Sequence, residues 1–373
     1  DLSGMCKRNI YVFLKNKIIS LDIIIPFCLE VNKQCNIKFI FVVRDLDTYK
    51  SIVNNNIVLR DAMNSIGKII HLSKNRYKLQ LVSKIFTLIY MFYVVFRINI
   101  KKDYLIHFGL FNVKPFSLFC SLLDKKHVIL SSTSSYGIDD NVKHNFLCAG
   151  MLIGYSNSWL CLKHDSAVNV PKIILKKSRN LPSWINFIKE RSDMYINLEL
   201  EKKMLSSNRI IVFPIGKLNL DITTRHCGSF IKTLNILAQY SKKYPIFIKP
   251  AIYTNLDYVK KLINDAEDDI KINYVFTKLH PAVLASRAIA SVFVNKATII
   301  NEMHNLQVPV IQCLYDFEGD KDFFDFVSPK ADYVIGNSSI SLNEVLDKLT
   351  KKKNLPVNYE ITQTNIDCDL FCK

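Results

Sequence analysis

The sequence predicts an α/β protein with two domains, each built on a parallel β-sheet. Short apolar runs rich in Val, Ile and Phe alternate with longer helical segments along nearly the whole chain, which is typical of βαβ units. The length of 373 residues favours two domains of similar size. Hydrophobic residues make up 49% of the chain and charged residues 22%, so a disordered protein is excluded.

The first half of the chain contains one complete set of these alternating segments. Its predicted strands are short apolar runs, and its predicted helices have apolar residues at helical spacing. The strands span residues 10–14, 37–43, 68–71, 104–108 and 127–131, and the helices include residues 45–54, 79–96 and 115–123.

The same pattern starts again in the second half, after a charged segment at residues 176–208 that lacks a clear strand. We therefore predict one domain over residues 1–200, a second over residues 201–350 and a tail over residues 351–373. Two Rossmann-like halves suggest a GT-B-type arrangement with an active site in the cleft between the domains; the alternative is one doubly wound domain with a helical appendage. The predicted strands of the second half span residues 209–213, 246–249, 272–276, 290–295, 309–312 and 333–335, and the helices span residues 228–240, 256–267, 282–288, 298–306 and 342–349.

The chain is strongly basic, with 50 Lys and Arg against 33 Asp and Glu and a formal net charge of +17. A diffuse positive field attracts anionic partners, such as a phosphorylated substrate, a phospholipid surface or nucleic acid. The basic residues are spread along the chain, and no zinc-finger, RNP or helix-turn-helix signature is present. Anionic substrates and lipids are therefore favoured over nucleic acid.

The ten cysteines are scattered, with no CxxC pair and no histidine at zinc-ligand spacing, so we expect no structural metal site. We expect reduced thiols in a cytosolic protein, where disulfides are rare. The N-terminal residues lack the regions of a signal peptide. These observations predict a cytoplasmic location, with or without peripheral attachment to the inner face of the cytoplasmic membrane.

An apolar stretch at residues 85–96 allows two interpretations. It is bounded by Lys84 and Arg97, and it is shorter than the ~20 apolar residues of a membrane-spanning helix. It is either a buried core helix or a partly exposed helix. In the second case the aromatic and basic side chains of residues 81–102 contact an anionic membrane.

The most informative segment is residues 276–312, FTKLHPAVLASRAIASVFVNKATIINEMHNLQVPVIQ. Its polar turn, with Asn295, Lys296 and Thr298, joins a predicted strand to a helix N-terminus, where N–H groups and the helix dipole favour an anion. Glu302, one turn later, can accept hydrogen bonds from ribose or sugar hydroxyls. The alternative is a purely structural helix start that is N-capped by Asn295 or Thr298.

This segment resembles the donor-binding half of bacterial GT-B glycosyltransferases of capsule and lipopolysaccharide assembly. It is most similar to the capsule-type β-Kdo transferases and the bacterial sialyl- and polysialyltransferases. His280-Pro281 matches the His-Pro element of the sialyltransferases, and residues 295–298 match their Ser/Thr element, with Lys296-Ala297 where Ser is usual. The resemblance extends over residues 209–350, and over the first half by architecture alone. It implies a CMP-activated acidic sugar as donor, a glycan or glycolipid acceptor, and a catalytic contact between His280 and the donor phosphate.

The same sialyltransferases carry an acidic element, and its candidate here is the loop after predicted strand 127–131. Asp139 and Asp140 lie in this loop, which is rich in Ser and Thr. Such a carboxylate can take the proton of an acceptor hydroxyl, and repulsion within the pair raises the pKa of one acid, which suits a base. Asp45 and Asp47 are the competing candidates, and a turn or N-cap role is the structural alternative.

Further basic residues follow strands of the second half. Lys217 and Arg225 come after strand 209–213, and Lys249 ends strand 246–249; we expect them to contact the donor, with solvated surface as the alternative. No DxD motif follows a clear strand, so no metal and no other cofactor is expected. The sequence thus predicts an inverting, metal-independent glycosyltransferase that moves Kdo or sialic acid from a CMP-activated donor. The alternatives are another nucleotide-sugar transferase or a glycerophosphotransferase on the same fold, and a non-catalytic basic protein that binds membranes or nucleic acid.

Overall fold

Two parallel β-sheets form the framework, each in its own unit of the chain. One unit comprises Asp1–Phe187 with Ile361–Lys373, and the other comprises Ile188–Glu360. The computed structural model describes residues 8–14, 18–44, 46–72, 80–112, 116–131, 148–154, 170–175, 178–216, 227–251, 254–266, 271–295, 297–336, 339–352, 357–362, 366 and 369–372.

The sheet of the first unit has seven strands, and every described pairing in it is parallel. The strand order is β3-β2-β1-β4-β5-β6-β7. The central strands are buried along nearly their whole length, as expected for apolar runs that are covered on both faces. The strands are β1 (Asn9–Leu14), β2 (Lys38–Val43), β3 (Gly67–His71), β4 (Tyr104–His107), β5 (Val128–Ser131), β6 (Met151–Gly154) and β7 (Lys172–Ile174).

Helices of the first unit connect these strands and cover the sheet. Short 3-10 segments occupy Leu110–Asn112, Phe116–Phe119 and Lys125–His127. The second of them lies within residues 115–123, for which the sequence predicts an α-helix. A short terminal helix also packs here, since the Phe371 ring contacts the rings of Phe27 and Tyr104. The helices are α1 (Ile18–Cys35), α2 (Leu46–Asn55), α3 (Ile57–Ile66), α4 (Gln80–Ile100) and, at the terminus, α12 (Asp369–Cys372). Helix α5 (Pro182–Glu201) begins in this unit and ends in the other.

The sheet of the second unit has six parallel strands in the order β10-β9-β8-β11-β12-β13. Its strands are β8 (Ile210–Ile215), β9 (Ile246–Pro250), β10 (Tyr274–Phe276), β11 (Ala288–Phe293), β12 (Val310–Cys313) and β13 (Tyr333–Ile335). Its helices are α6 (Cys227–Ser241), α7 (Leu256–Ala266), α8 (Pro281–Ala285), α9 (Thr298–Asn305), α10 (Phe323–Phe326) and α11 (Leu342–Lys351).

The predicted fold class, two α/β units with parallel sheets, is confirmed. The sequence analysis does not predict β6 or β7, because strands of four and three residues carry too little pattern to stand out. The predicted join at residue 200 and the division between the units at residues 187 and 188 both lie within α5.

One cysteine expectation is wrong. Cys35 is disulfide-bonded, whereas Cys28, Cys120, Cys148, Cys227 and Cys313 are not in disulfides. Disulfide formation depends on the distance between Cα atoms in the fold, which cysteine spacing alone does not give. Burial raises the pKa of Cys313 to about 12, as expected for a thiol that serves as an apolar core residue.

Candidate functional site

The strand order of the second sheet reverses between β8 and β11. β9 and β10 extend the sheet on one side of β8, and β12 and β13 extend it beyond β11. Ligands of open α/β sheets bind at the carboxyl ends of the strands at such a reversal, because the loops after the two strands diverge there. Gly216, which follows β8, and Asn295, which follows β11, therefore mark the candidate site.

Asn295 joins the two strand ends. Its side-chain Oδ1 accepts a hydrogen bond from the backbone N–H of Gly216 at 3.2 Å. The carbonyl of Gly216 in turn accepts a hydrogen bond from Thr254 Oγ1 at 3.0 Å. The predicted donor-binding residue Asn295 thus holds the chain at Gly216, the residue after β8.

The N-terminus of α9 follows Asn295 in the chain. Its N-cap residue is Ala297, with φ −141° and ψ 147°, and within the described part of the chain no side chain makes a capping hydrogen bond there. The alternative of a helix capped by Asn295 or Thr298 is therefore wrong, because Asn295 is used by Gly216 and Thr298 is already the first helical residue. The N–H groups in the first turn of α9, at the positive end of the helix dipole, therefore have no capping side chain among the described residues.

His280 and Glu302 come together beside this helix, although they are far apart in sequence. The Nε2 atom of His280 lies 3.6 Å from Oε1 of Glu302. His280 is only 2% exposed, while the Glu302 side chain is partly exposed. Thr298 lies four residues before Glu302, which places both on one face of α9.

The second ring nitrogen of His280 explains the His-Pro sequence. His280 is the N-cap of α8, and its Nδ1 accepts a hydrogen bond from the backbone N–H of Ala282 at 3.2 Å. Pro281 occupies the first helical position, where its missing N–H is not needed. A neutral imidazole that accepts at Nδ1 carries its proton on Nε2. His280 therefore directs an N–H donor toward Glu302.

The N-terminus of α6, at the same edge of the sheet, is occupied by the chain's own carboxylate. Asp316 Oδ2 accepts a hydrogen bond from the backbone N–H of Ser229 at 2.7 Å, and Ser229 Oγ accepts one from the N–H of Asp316 at 2.8 Å. A Cβ atom at Gly228 would lie 2.2 Å from Asp316 Oδ1, so the approach requires glycine. An internal anion thus fills the α6 terminus, whereas no described side chain caps the α9 terminus.

The sequence analysis misses Asp316 and Ser229. Two signals could have indicated them, namely a Gly-Ser pair at a helix start and an acid soon after a predicted strand of the same parallel sheet. Since helix starts and strand ends meet at one edge in such a sheet, a carboxylate after one strand can cap the helix after another.

Of the remaining predicted site residues, the structure describes Lys249 and Asp47. Lys249 is the penultimate residue of β9, half-buried and paired in register with Pro214 of β8, so it lies at the same edge as the site. The exposed Asp47 lies in the first turn of α2. Residues outside the described part of the chain are Asp45, Asp139, Asp140, Lys217, Arg225 and Lys296, whose roles stay predictions.

The sheet of the first unit has its own reversal, between β1 and β4, and a buried histidine lies there. His107 ends β4; its Nδ1 accepts a hydrogen bond from the N–H of Gly109 at 3.1 Å, and its Nε2 donates to the carbonyl of Cys148 at 2.7 Å. Both ring nitrogens therefore hold the backbone in place, a structural role for a residue to which the sequence analysis assigns no chemistry.

Within the described part of the chain, one further cavity lies away from this site. Among the described residues, no group of three or more His, Cys, Asp or Glu side chains could hold a metal ion. A cavity of about 510 Å³ is lined by His304, Pro309 and Tyr333. It lies at the beginnings of β12 and β13, the opposite edge from the one where ligands bind in parallel sheets.

No protein-family model and no curated protein matches the sequence, but solved structures match the fold. The chain is similar to UDP-GlcNAc 2-epimerase from Methanocaldococcus jannaschii, with 12% identity, a TM-score of 0.51 and 95% of each chain covered. It is also similar to UDP-GlcNAc 2-epimerase from Neisseria meningitidis bound to UDP-GlcNAc, with 13% identity, a TM-score of 0.47, and 92% of this chain and 90% of that chain covered. For the family 9 glycosyl transferase from Veillonella parvula, the identity is 12% and the TM-score 0.40, with 92% of each chain covered. The first of these similarities confirms the predicted GT-B-like fold.

Proposed function

We propose that this protein is a metal-independent glycosyltransferase that takes a sugar from a nucleotide-activated donor. The observation that carries the proposal is the N-terminus of α9, which no described side chain caps and which lies beside the His280–Glu302 pair at the sheet reversal. The donor phosphate binds to the first turn of α9, where backbone N–H groups and the helix dipole favour an anion. Glu302 accepts hydrogen bonds from a ribose or sugar hydroxyl of the donor.

The chemistry follows from the charge that develops when the donor is cleaved. Breaking the bond between the sugar and the phosphate leaves a negative charge on a phosphate oxygen. A hydrogen-bond donor that is fixed in advance stabilises this charge more than water does, because it needs no reorganisation. The α9 terminus and the Nε2–H of His280 supply such hydrogen-bond donors. Asp139 or Asp140 removes the proton of the acceptor hydroxyl in this proposal, as the sequence predicts.

The sugar donor in this proposal is a CMP-activated acidic sugar, Kdo or sialic acid, and the acceptor is a glycan or glycolipid. The resemblance of residues 276–312 to CMP-sugar transferases supports this choice. The helix termini support it as well: Asp316 fills the α6 terminus, which leaves the α9 terminus for the single phosphate of a CMP-sugar. The net charge of +17 favours a donor with both a phosphate and a carboxylate.

A UDP-sugar is the second candidate donor, and the similarity to the epimerase from Methanocaldococcus jannaschii favours it. Binding of CMP, UDP, GDP and CDP-glycerol separates the possibilities. A nucleotide at about 100 times its Kd stabilises the folded state by about 2.7 kcal/mol, which raises the melting temperature by several degrees. A shift with CMP alone supports the proposed donor, a shift with UDP or CDP-glycerol changes the donor class, and no shift with any of them contradicts the proposal.

The position of the phosphate is tested by placing an internal anion on α9. Ala297→Asp supplies the missing cap and repels a phosphate, so we expect nucleotide affinity to fall by about tenfold or more while the fold is retained. Ser341→Asp is the matched control, because Ser341 caps α11 and an aspartate there preserves a cap away from the site. Equal affinity of Ala297→Asp and the wild-type protein would place the phosphate elsewhere.

A further inference from the structure

Helix α4 is apolar on two opposite faces, and only one of them is covered. Met91, Val94, Val95 and Ile98 form the buried face and pack in the core of the first unit. The opposite face consists of large apolar side chains that are 48–62% exposed. We call it the α4 apolar face; its residues are Ile85, Phe86, Leu88, Ile89, Phe92, Tyr93, Phe96 and Ile100.

Such a face is unusual on a water-soluble surface. A helix at the edge of a globular unit ordinarily carries polar residues on its outer side. The largest exposed apolar patch of a typical monomer covers about 300–600 Å², and larger ones mark interaction sites. Eight half-exposed Ile, Leu, Phe and Tyr side chains reach or exceed the upper end of that range. Of the two interpretations of residues 85–96, the partly exposed helix is therefore the one that the structure shows, with its other face buried in the core.

The α4 apolar face is continuous with the apolar side chains of the neighbouring turn. Contacts between α4 and this turn hold the two together as one surface. Asn99 Nδ2 donates to the carbonyl of Leu122 at 2.6 Å, and Asn99 Oδ1 accepts from the N–H of Asp124 at 2.8 Å. The rings of Phe92 and Phe119 meet edge to face, with 5.4 Å between their centroids. These contacts hold Leu118 and Leu122, which are 66% and 48% exposed, beside the helix.

Basic residues flank this surface in sequence. Residues 80–103 and 116–126 contain six Lys or Arg residues and two acids, and both acids are already paired. Arg97 binds the buried Asp103 at 2.7 Å, and Lys102 binds Asp124 at 3.1 Å. The exposed lysines of these two segments form what we call the rim, and they are Lys84, Lys101, Lys102, Lys125 and Lys126.

We propose that the α4 apolar face docks on an anionic lipid bilayer, with the helix lying in the plane of the interface. Apolar side chains enter the boundary between headgroups and acyl chains, and the lysines of the rim contact anionic headgroups. Among the described residues, no helix is long and apolar enough to cross a membrane. The buried face of α4 also ties the helix to the core, which favours lying on the bilayer. This proposal is independent of the sugar donor.

The charges favour a lipid over a second copy of this chain as the occupant. In a symmetric dimer built on this face, the basic rims of two copies would come together, and two molecules of charge +17 would approach each other. An anionic bilayer instead neutralises the rim. Phosphate headgroups and apolar chains together match both the lysines and the aromatic and aliphatic side chains between them.

Co-sedimentation of the full chain with vesicles tests the proposal. Vesicles of phosphatidylcholine alone are compared with vesicles in which about one lipid in three is phosphatidylglycerol, each at low and high salt. We expect binding to the anionic vesicles that weakens with salt. Ile89→Ser combined with Phe96→Ser and Ile100→Ser should lower the partition coefficient by about tenfold or more, because half-exposed apolar side chains lose their insertion.

Two control variants make the outcome decisive. Lys84→Glu with Lys101→Glu should lower binding to anionic vesicles alone. Phe324→Ser removes a side chain that is 77% exposed in the second unit and should leave binding unchanged. Equal binding to neutral and anionic vesicles, absence of binding to both, or an equal loss with Phe324→Ser would overturn the proposal. So would a concentration-dependent dimer in sedimentation velocity that the triple serine variant abolishes without vesicle binding by the wild-type protein.

Discussion

Replacing His280 separates the two roles of its ring. His280→Asn keeps an N-cap acceptor for the N–H of Ala282, because Asn is among the best N-cap residues, but it is too short to present a hydrogen-bond donor at the position of Nε2. His280→Ala loses both the cap and the donor. A third variant, Glu302→Gln, keeps a hydrogen-bonding partner beside His280 and removes the negative charge.

The size of each effect follows from the contacts. Loss of an N-cap costs about 1 kcal/mol, so His280→Ala should be less stable than His280→Asn by about that amount. Loss of one preorganised hydrogen-bond donor to a developing oxyanion lowers kcat by about 10²–10³, or about 2.7–4 kcal/mol. Both variants should show this loss of kcat to a similar extent, because both lack Nε2. Stability and activity should therefore respond differently to the same pair of substitutions.

The assay needs no acceptor, because it measures release of the nucleotide from the proposed sugar donor with water in place of the acceptor. Nucleotide release is measured at saturating and sub-saturating sugar donor, and the free energy of unfolding is measured by urea titration. Wild-type turnover in His280→Asn would refute the hydrogen-bonding role of Nε2. A loss of activity in His280→Ala that His280→Asn restores would show that His280 acts only by capping α8.

Three further predictions concern stability. Asp103→Ala should cost about 1–3 kcal/mol in urea unfolding, because it removes the buried carboxylate that accepts hydrogen bonds from Arg97 Nε and from the N–H of Asn9; no measurable cost would contradict this role. Gly228→Ala should be destabilising beyond the effect of helix propensity, since its Cβ would lie 2.2 Å from Asp316 Oδ1, and Gly228→Ala with Asp316→Ser should recover part of the loss. Burial lowers the pKa of His127 although Asp124 is close by, so the unfolded state binds a proton more readily. The unfolding free energy should therefore fall as the pH drops below about 6.5, and His127→Gln should reduce that fall when unfolding is measured about one pH unit above and below that value.

The sequence by itself determined eleven of the thirteen described strands, all except β6 and β7. β1 and β8 are apolar runs whose residues are buried at nearly every position, and a run without alternation indicates a parallel strand that is covered on both faces. It also determined that residues 276–312 contain a strand, a polar turn and a helix in that order. Local pattern is sufficient for these features because each depends on neighbours within one or two turns.

Only the tertiary structure decided which side chains form hydrogen bonds at this turn and at the start of α6. Asn295 is taken by Gly216, 79 residues away in sequence, so it does not cap the α9 terminus. Asp316 is likewise taken by Ser229, 87 residues away, and fills the α6 terminus. Sequence patterns describe what a residue can bond, while the fold determines what lies within reach.

The same limit applies to helix α4. Its sequence is apolar all round, so pattern alone does not separate the side that packs on the core from the side that meets solvent. The position of the sheet decides this, because the core covers one face, at Met91 and Val94, and leaves Ile89 and Phe96 outside. Whether a side chain is buried depends on which residues, distant in sequence, pack against it. For that reason only the three-dimensional structure reveals the exposed face.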